Sequence, residues 1–387
     1  MFSYDEMFTL HLNSLETKHL RRKLITVDSP QDKFLFFHKK KYLSFGSNSY
    51  LGIAQHPQLL KSGRKALQKW GTGSGGSRLI TGNYSIHEEL ERKIASLKGQ
   101  EDALVFPSGF QTNVSVLNAI LNNEWIVFCD RLNHASLLDG IRFSGAKIIL
   151  YKHIDMNDLE EKAKKFSGQK GIIITDGVFS MDGDIAPLHH IVEIAHKYGF
   201  LTMVDDAHGT GILGDDGGGS SSFWCVKGLI DIEMGTFSKA FASEGGFVAA
   251  RKPIIEYLRH MARGFMFSTA LPPHVAAISL KAIEISQKEP WRREKLLTLS
   301  QKLRQRLKIR GWKVFDDITP IIPLLLSSPQ EALDLASFLR EKGIFVPAIR
   351  PPAVKQSRLR ISLMATHTEE DLDRLVEELD AWKNKSL

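Results

Sequence analysis

Cysteine is nearly missing from this chain, with only Cys129 and Cys225 among 387 residues. Two thiols cannot build a disulfide framework, and neither falls in a metal-ligand spacing. A disulfide-stapled secreted fold and a cysteine zinc site are therefore excluded. Their apolar or aromatic neighbours fit a reducing cytoplasm. Long apolar runs are absent as well, and none nears the roughly 18 residues that a membrane-spanning helix needs. The opening stretch, "MFSYDEMFTLHLNSLETKHLRRKL", breaks its apolar positions with acids and bases. It lacks the continuous apolar centre of a signal peptide and reads as an amphipathic helix. Repeats and low-complexity tracts are also lacking, "GDDGGGSSS" at residues 214–222 being a local loop. The net charge of +7 is not gathered into a basic arm with interleaved aromatics. That argues against nucleic acid and suits a small phosphate-bearing partner.

What the chain has is a globular composition, 43% hydrophobic and 25% charged. Its length suits one large domain with a smaller companion. From Ala103 onward seven short apolar runs recur: "ALVFPSG", "WIVFCD", "AKIILY", "GIIITDGVFS", "FLTMVDDAH", "DIEMGTFSK" and "GGFVAA". Helical stretches such as "TNVSVLNAIL" and "LHHIVEIAHKYG" separate several of them. The alternation predicts an α/β fold, an open and mostly parallel sheet with helices on both faces. The last two runs are joined closely enough for one antiparallel partner. Ahead of them, "KYLSFGSNSYLG" reads as a strand entering a turn. Past about residue 280 a charged helix, "WRREKLLTLSQKLRQRLKIRG", leads to "WKVFDD", "IIPLLLSS", "GIFVPAIR" and "SRLRISLM". A last helix follows, with a capping-box pattern at Thr368 and Asp371. The expected division is a helical arm over 1–44, a large sheet domain over 45–280 and a small α+β domain over 281–387.

Ligands of an open α/β sheet gather at the carboxyl ends of its strands. "VFPSGFQTN" passes from strand to helix, so the amides of Gly109 and Phe110 open a helix N-terminus, which is either an anion site or an ordinary cap by Ser108. "LTMVDDAHGTG" ends a strand with Asp205 and sets His208 three residues on, a carboxylate for a cationic ring nitrogen or a cap for the next turn. Metal binding is the weaker reading, because no second cluster has matching spacing. His134 in "DRLNHASLLDG" and Ser180 in "TDGVFSMDGD" take similar strand-end positions. "GTGSGGSR" at residues 71–78 matches G-x-G-x-x-G, yet the helical stretch before it is the wrong context for dinucleotide binding.

Lys239 sits in "GTFSKAFASEGG" among glycines, hydroxyls and alanines, a poor setting for a solvated charge. It can be a phosphate ligand beside Thr236 and Ser238, or a nucleophile whose amine forms an imine with a carbonyl compound. The second reading also gives roles to an anion cradle, a carboxylate and a stacking histidine. Pyridoxal 5′-phosphate requires that combination.

The ordered motifs "SNSYLG", "GTGSGGSR", "PSGFQTN", "DRLNHASLLDG", "GVFSMDGD", "VDDAHGTG", "TFSKAF", "FSTALPP" and "AIRPP" resemble those of the α-oxoamine synthases over almost the whole chain. These are fold-type-I pyridoxal-phosphate transferases of aminotransferase class I/II. The resemblance implies that Lys239 holds the cofactor covalently and handles the substrate's α-proton, and that Asp205 keeps the pyridine nitrogen protonated. It implies a stacking and substrate-side role for His134, with His208 on the phenolic oxygen. Gly109, Phe110, Thr236 and Ser180 would surround the phosphate. Ser268 and Thr269 would reach the phosphate of a partner subunit, which implies a homodimer with shared sites. Arg350 would clamp the amino-acid carboxylate, with Arg21, Asn48 and Ser77 also on the substrate side.

The reaction implied is a decarboxylative condensation of an amino acid with an acyl-CoA or acyl carrier protein, in the cytoplasm and without metal, membrane or nucleic acid. Members that serve biotin biosynthesis are the nearest, joining L-alanine to a pimeloyl thioester. Ala353 departs from their usual threonine, whereas Ser77 favours alanine over glycine, a choice worth only about 1–3 kcal/mol per methyl. Glycine C-acetyltransferase and 5-aminolevulinate synthase chemistry remains the near alternative. A nicotinamide dehydrogenase built on "GTGSGG" and a basic nucleic-acid binder are the remote ones.

Overall fold

The computed structural model describes residues 3–385. The chain forms two compact units, one of residues 48–180 and 184–295, the other within residues 1–47, 181–183 and 296–387. Among the described residues no helix is long and apolar enough to cross a membrane.

The larger unit is built on a seven-stranded sheet. Its order is Asp102–Phe106, Gly246–Ala250, Ile232–Thr236, Leu201–Asp205, Gly171–Asp176, Ile126–Asp130 and Lys147–Tyr151. The last five run parallel, whereas Gly246–Ala250 is antiparallel to both its neighbours. These strands are the seven apolar runs of the sequence, and the antiparallel partner lies where the short connection allowed it. Their runs are continuously apolar because helices cover both faces. Along Ile126–Asp130, Val127 and Cys129 enter one core while Ile126 and Phe128 enter the other. Between the first strand and the Ile126 strand lies the helix Gly109–Ile120, capped by Ser108 accepting from the Gln111 amide at 3.2 Å.

In the smaller unit, Phe34–Phe37 and Lys40–Ser44 form a hairpin joined in parallel by Ile344–Phe345. A second small sheet pairs Arg358–Ser362 with Ile321–Leu325 and Ala348–Ile349, all antiparallel. Of the four expected segments only "WKVFDD" forms no strand. No sheet edge meets it, and Phe315 stays exposed. The capping box at Thr368 and Asp371 is made in both directions, at 2.9 and 3.4 Å. The amphipathic N-terminal stretch is the helix Tyr4–Thr17, which buries none of its residues.

A charged latch ties the carboxyl end of the Ile126 strand to the loop beyond Gly183. His153 bonds Asp130 Oδ1 through Nδ1 at 3.0 Å and Asp184 Oδ2 through Nε2 at 2.7 Å. Burial disfavours the charged ring, but the two carboxylates outweigh it and raise the His153 pKa from 6.5 to about 9. A group raised in this way contributes stability below its unfolded value and loses it as pH climbs through the folded one. Unfolding free energy measured in urea should therefore fall by on the order of 2–3 kcal/mol between pH 6.5 and 9, a loss that His153→Gln removes. A profile that is the same with and without the imidazole would show that the latch stores no such energy.

Candidate active site

Where the parallel strands end, a cavity of about 200 Å³ opens within the larger unit. Asp205, the last residue of its strand, lines it and is 6% exposed. Its Oδ1 accepts from the Ala207 amide at 3.0 Å and its Oδ2 from Asn113 Nδ2 at 2.7 Å. Asn113 is one turn into the helix Gly109–Ile120, so the element whose N-terminus faces the cavity also holds the carboxylate. The other amide atom, Asn113 Oδ1, is buried with no hydrogen-bond partner. Beside Asp205 in strand register stands Asp176, whose Oδ1 accepts from the His134 amide at 3.2 Å. Burial, and then the charge of Asp205, push the Asp176 carboxyl well above the usual carboxylate range.

The opposite wall is made of backbone. A side chain at Gly109 would place its Cβ 3.0 Å from Met234 Cε and 3.4 Å from Thr236 Cβ. At Gly246 a Cβ would fall 2.5 Å from Thr112 Oγ1 and 2.7 Å from the Gly109 Cα. Glycine at both positions lets the helix start press against two strand ends, so its free amides and the Thr236 and Ser238 hydroxyls border one space. Those two hydroxyls are 2.8 Å apart.

Lys239 follows on a tight turn closed by the Ser243 amide donating to the Phe237 carbonyl at 3.0 Å. Phe237 and Phe241 are fully buried and anchor the turn, which leaves half-buried Lys239 lining the cavity. Small neighbours make room for the lysine, and the two aromatics fix its backbone.

His134, Ser180 and His208 line the same cavity. His134 caps the helix Ala135–Ser144 and bonds Ser136 Oγ through Nδ1 at 2.7 Å. The Tyr50 hydroxyl donates to Asn48 Oδ1 at 3.1 Å and meets His208 Nδ1 at 2.7 Å. That contact holds one ring nitrogen of His208 and so orients the imidazole. Tyr50, Asn113 and Asp176 were missed as site residues. Tyr50 and Asn113 stand in the quoted motifs "SNSYLG" and "PSGFQTN", and Asp176 ends a strand run, which was the available signal.

Other expected residues lie elsewhere. Ser268 donates to the Thr269 carbonyl at 3.3 Å, and neither lines the cavity. Ser77 belongs to the glycine loop, where its carbonyl accepts from the Gly82 amide at 2.9 Å. Arg21 and Arg350 line a cavity of about 830 Å³ inside the smaller unit, together with Arg22, Lys23, Arg340 and Ala353. There the Arg350 guanidinium donates to the His19 carbonyl. The glycine loop follows the helix Pro57–Trp70 rather than a strand, so dinucleotide binding fails on context. Among the described residues no group of acids, histidines or cysteines could hold a metal.

The donor set suits a flat molecule with an anionic group at one end and a protonatable ring nitrogen at the other. Pyridoxal phosphate matches it, and Lys239 lines the same cavity. Comparison with known proteins agrees. Residues 40–379 match the model of the family "Aminotransferase class I and II". The chain is 45% identical to an 8-amino-7-oxononanoate synthase of Lysinibacillus sphaericus, covering 97% of each. It is also 45% identical to 8-amino-7-oxononanoate synthase 2 of Bacillus subtilis, covering 96% of each. Among solved structures it is similar to a serine palmitoyltransferase of S. paucimobilis with bound PLP–myriocin, at 28% identity and TM-score 0.92 over 97% of this chain and 96% of that one. By fold, by sequence and by the arrangement of its cavity, the chain belongs to the class I and II aminotransferase family, in its α-oxoamine synthase branch.

Proposed function

We propose that the protein is an acyltransferase that depends on pyridoxal phosphate and makes 8-amino-7-oxononanoate for biotin synthesis. L-alanine and a pimeloyl thioester combine, a carbon–carbon bond forms, and carbon dioxide and the free thiol leave. The observation that carries this reading is the convergence of Lys239, buried Asp205 and a helix N-terminus on one cavity. When bound, pyridoxal phosphate supplies an electron sink for the carbanion at the amino acid's α-carbon.

The residues divide the remaining work. The amides of Gly109 and Phe110, with the Thr236 and Ser180 hydroxyls, bind the phosphate. Asp205, aimed by Asn113 and the Ala207 amide, holds a proton at the pyridine nitrogen. His208, oriented by Tyr50, bonds the phenolic oxygen through Nε2, while His134 stacks on the ring and faces the substrate. Lys239 Nζ anchors the cofactor, then takes the α-proton of the amino acid and returns one to the product. Arg350 clamps the amino-acid carboxylate once it has released His19. Arg21, Asn48 and Ser77 complete the substrate side. Ser268 and Thr269 serve the phosphate of a second subunit, which makes the working form a cytoplasmic homodimer.

Two outcomes follow. Burial and Asp205 hold the Asp176 carboxyl well above the usual carboxylate range, so Asp176→Asn should leave the pyridoxal phosphate Kd within about threefold, whereas Asp205→Asn should raise it about 10²-fold. Equal losses from both, read by fluorescence titration, would remove Asp205 from its assigned place. Among alanine, glycine and serine offered with pimeloyl-, acetyl- and succinyl-CoA, kcat/KM should be highest for alanine with the pimeloyl donor. Its margin over glycine should be about tenfold or more. Turnover of glycine with only the short donors would contradict the assignment.

A further inference from the structure

Behind the cavity lies a second charged cluster that the reaction above does not use. Lys98, the last residue of the helix Ser85–Lys98, is fully buried. Its Nζ donates to Asp206 Oδ2 at 2.6 Å and to the Gly218 carbonyl at 2.7 Å, and lies 3.3 Å from Glu233 Oε2. Asp206 and Glu233 are also fully buried. Thr210 Oγ1 donates to Asp206 Oδ2 at 2.8 Å, and the Ser220 hydroxyl and amide donate to Oδ1 at 2.6 and 3.1 Å. The Ser221 hydroxyl donates to Glu233 Oε2 at 2.7 Å. Burial raises the Glu233 carboxyl, and it opposes the Lys98 charge less than Asp206 and Glu233 favour it.

A buried ionic triad is a poor device for stability alone, because apolar side chains of similar volume commonly do as well or better. Its position is informative. Asp206 directly follows Asp205, and its amide donates to the Met234 carbonyl at 2.8 Å. Glu233 precedes Met234 on the strand that runs into Thr236 and the Lys239 turn. One ammonium thus ties the residue that follows the Asp205 strand to the early part of the neighbouring strand, the one that leads into the Lys239 turn. The surrounding loops are shaped for it. A Cβ at Gly219, Gly209 or Gly177 would lie 1.7, 2.2 or 2.7 Å from an Asp206 carboxylate oxygen. The run "GDDGGGSSS" therefore owes part of its glycine to the space that Asp206 occupies.

We propose that Lys98 and Asp206, joined by Glu233, are positioning residues that set the relative placement of Asp205 and Lys239 for the cofactor. This rests on the assignment of pyridoxal phosphate to the cavity.

The test is a titration of cofactor-free protein with pyridoxal phosphate, followed by the visible absorbance of the loaded protein against pH. Lys98→Met should weaken binding tenfold or more and displace the pH midpoint of the absorbance by about one unit, as expected when Asp205 and Lys239 shift relative to one another. Ser220→Ala removes one bond to Asp206 without altering charge, and should move both readings less and in the same direction. Should Lys98→Met not fold, the Ser220 variant decides. Wild-type Kd and midpoint in the folded variants, with only thermal stability reduced, would reduce the cluster to a structural filler and overturn the proposal. Failure of the wild type to bind the cofactor would instead remove the cofactor assignment itself.

Discussion

Two carboxyl groups buried side by side at the ends of adjacent parallel strands set the terms for this structure. Asp176 and Asp205 share a register position, and both are almost sealed from water. Burial, and then the charge of Asp205, hold the Asp176 carboxyl well above the usual carboxylate range. The surroundings distinguish them. Asn113 and the Ala207 amide direct donors at Asp205, whereas Asp176 carries a raised pKa and braces the backbone of His134. In the proposed function, Asp205 is the residue that would face a protonated ring nitrogen.

The rest of the cavity follows from how closely backbone can approach backbone. The helix Gly109–Ile120 reaches the strand ends only because Gly109 and Gly246 carry no side chain. Its first amides then stand opposite the lysine turn, and the same helix presents Asn113 to the carboxylate one turn later. Anion cradle and acid are therefore coupled through a single rigid element. The antiparallel strand Gly246–Ala250 is part of that coupling, since it brings Gly246 to the helix start. Lys98 adds a charged tie between Asp206, just past the Asp205 strand, and Glu233 on the neighbouring strand.

Much of the large unit was legible in the sequence because its strands are buried on both faces and stand out as unbroken apolar runs. The cavity-lining residues Asp205, His208, His134 and Ser180 were legible for the same reason, since each stands at or within four residues of the end of such a strand. Strand order was not, because it depends on crossovers and not on local pattern. The Tyr50–His208 bond spans 158 positions and the Asn113–Asp205 bond 92, distances over which no periodicity carries information. Lys98 was invisible for another reason. At the end of an exposed-looking helix it has the spacing of a solvated lysine, and only the fold reveals the two acids that receive it. "WKVFDD" shows the converse, an alternating segment that meets no sheet edge.

Covalent capture reads the Lys239 assignment itself. Protein loaded with pyridoxal phosphate would be reduced with borohydride, digested and mapped by mass spectrometry. One modified peptide is expected, that of "GTFSKAF", with the label on Lys239. A label on another lysine, or none on protein that has bound the cofactor, would contradict it.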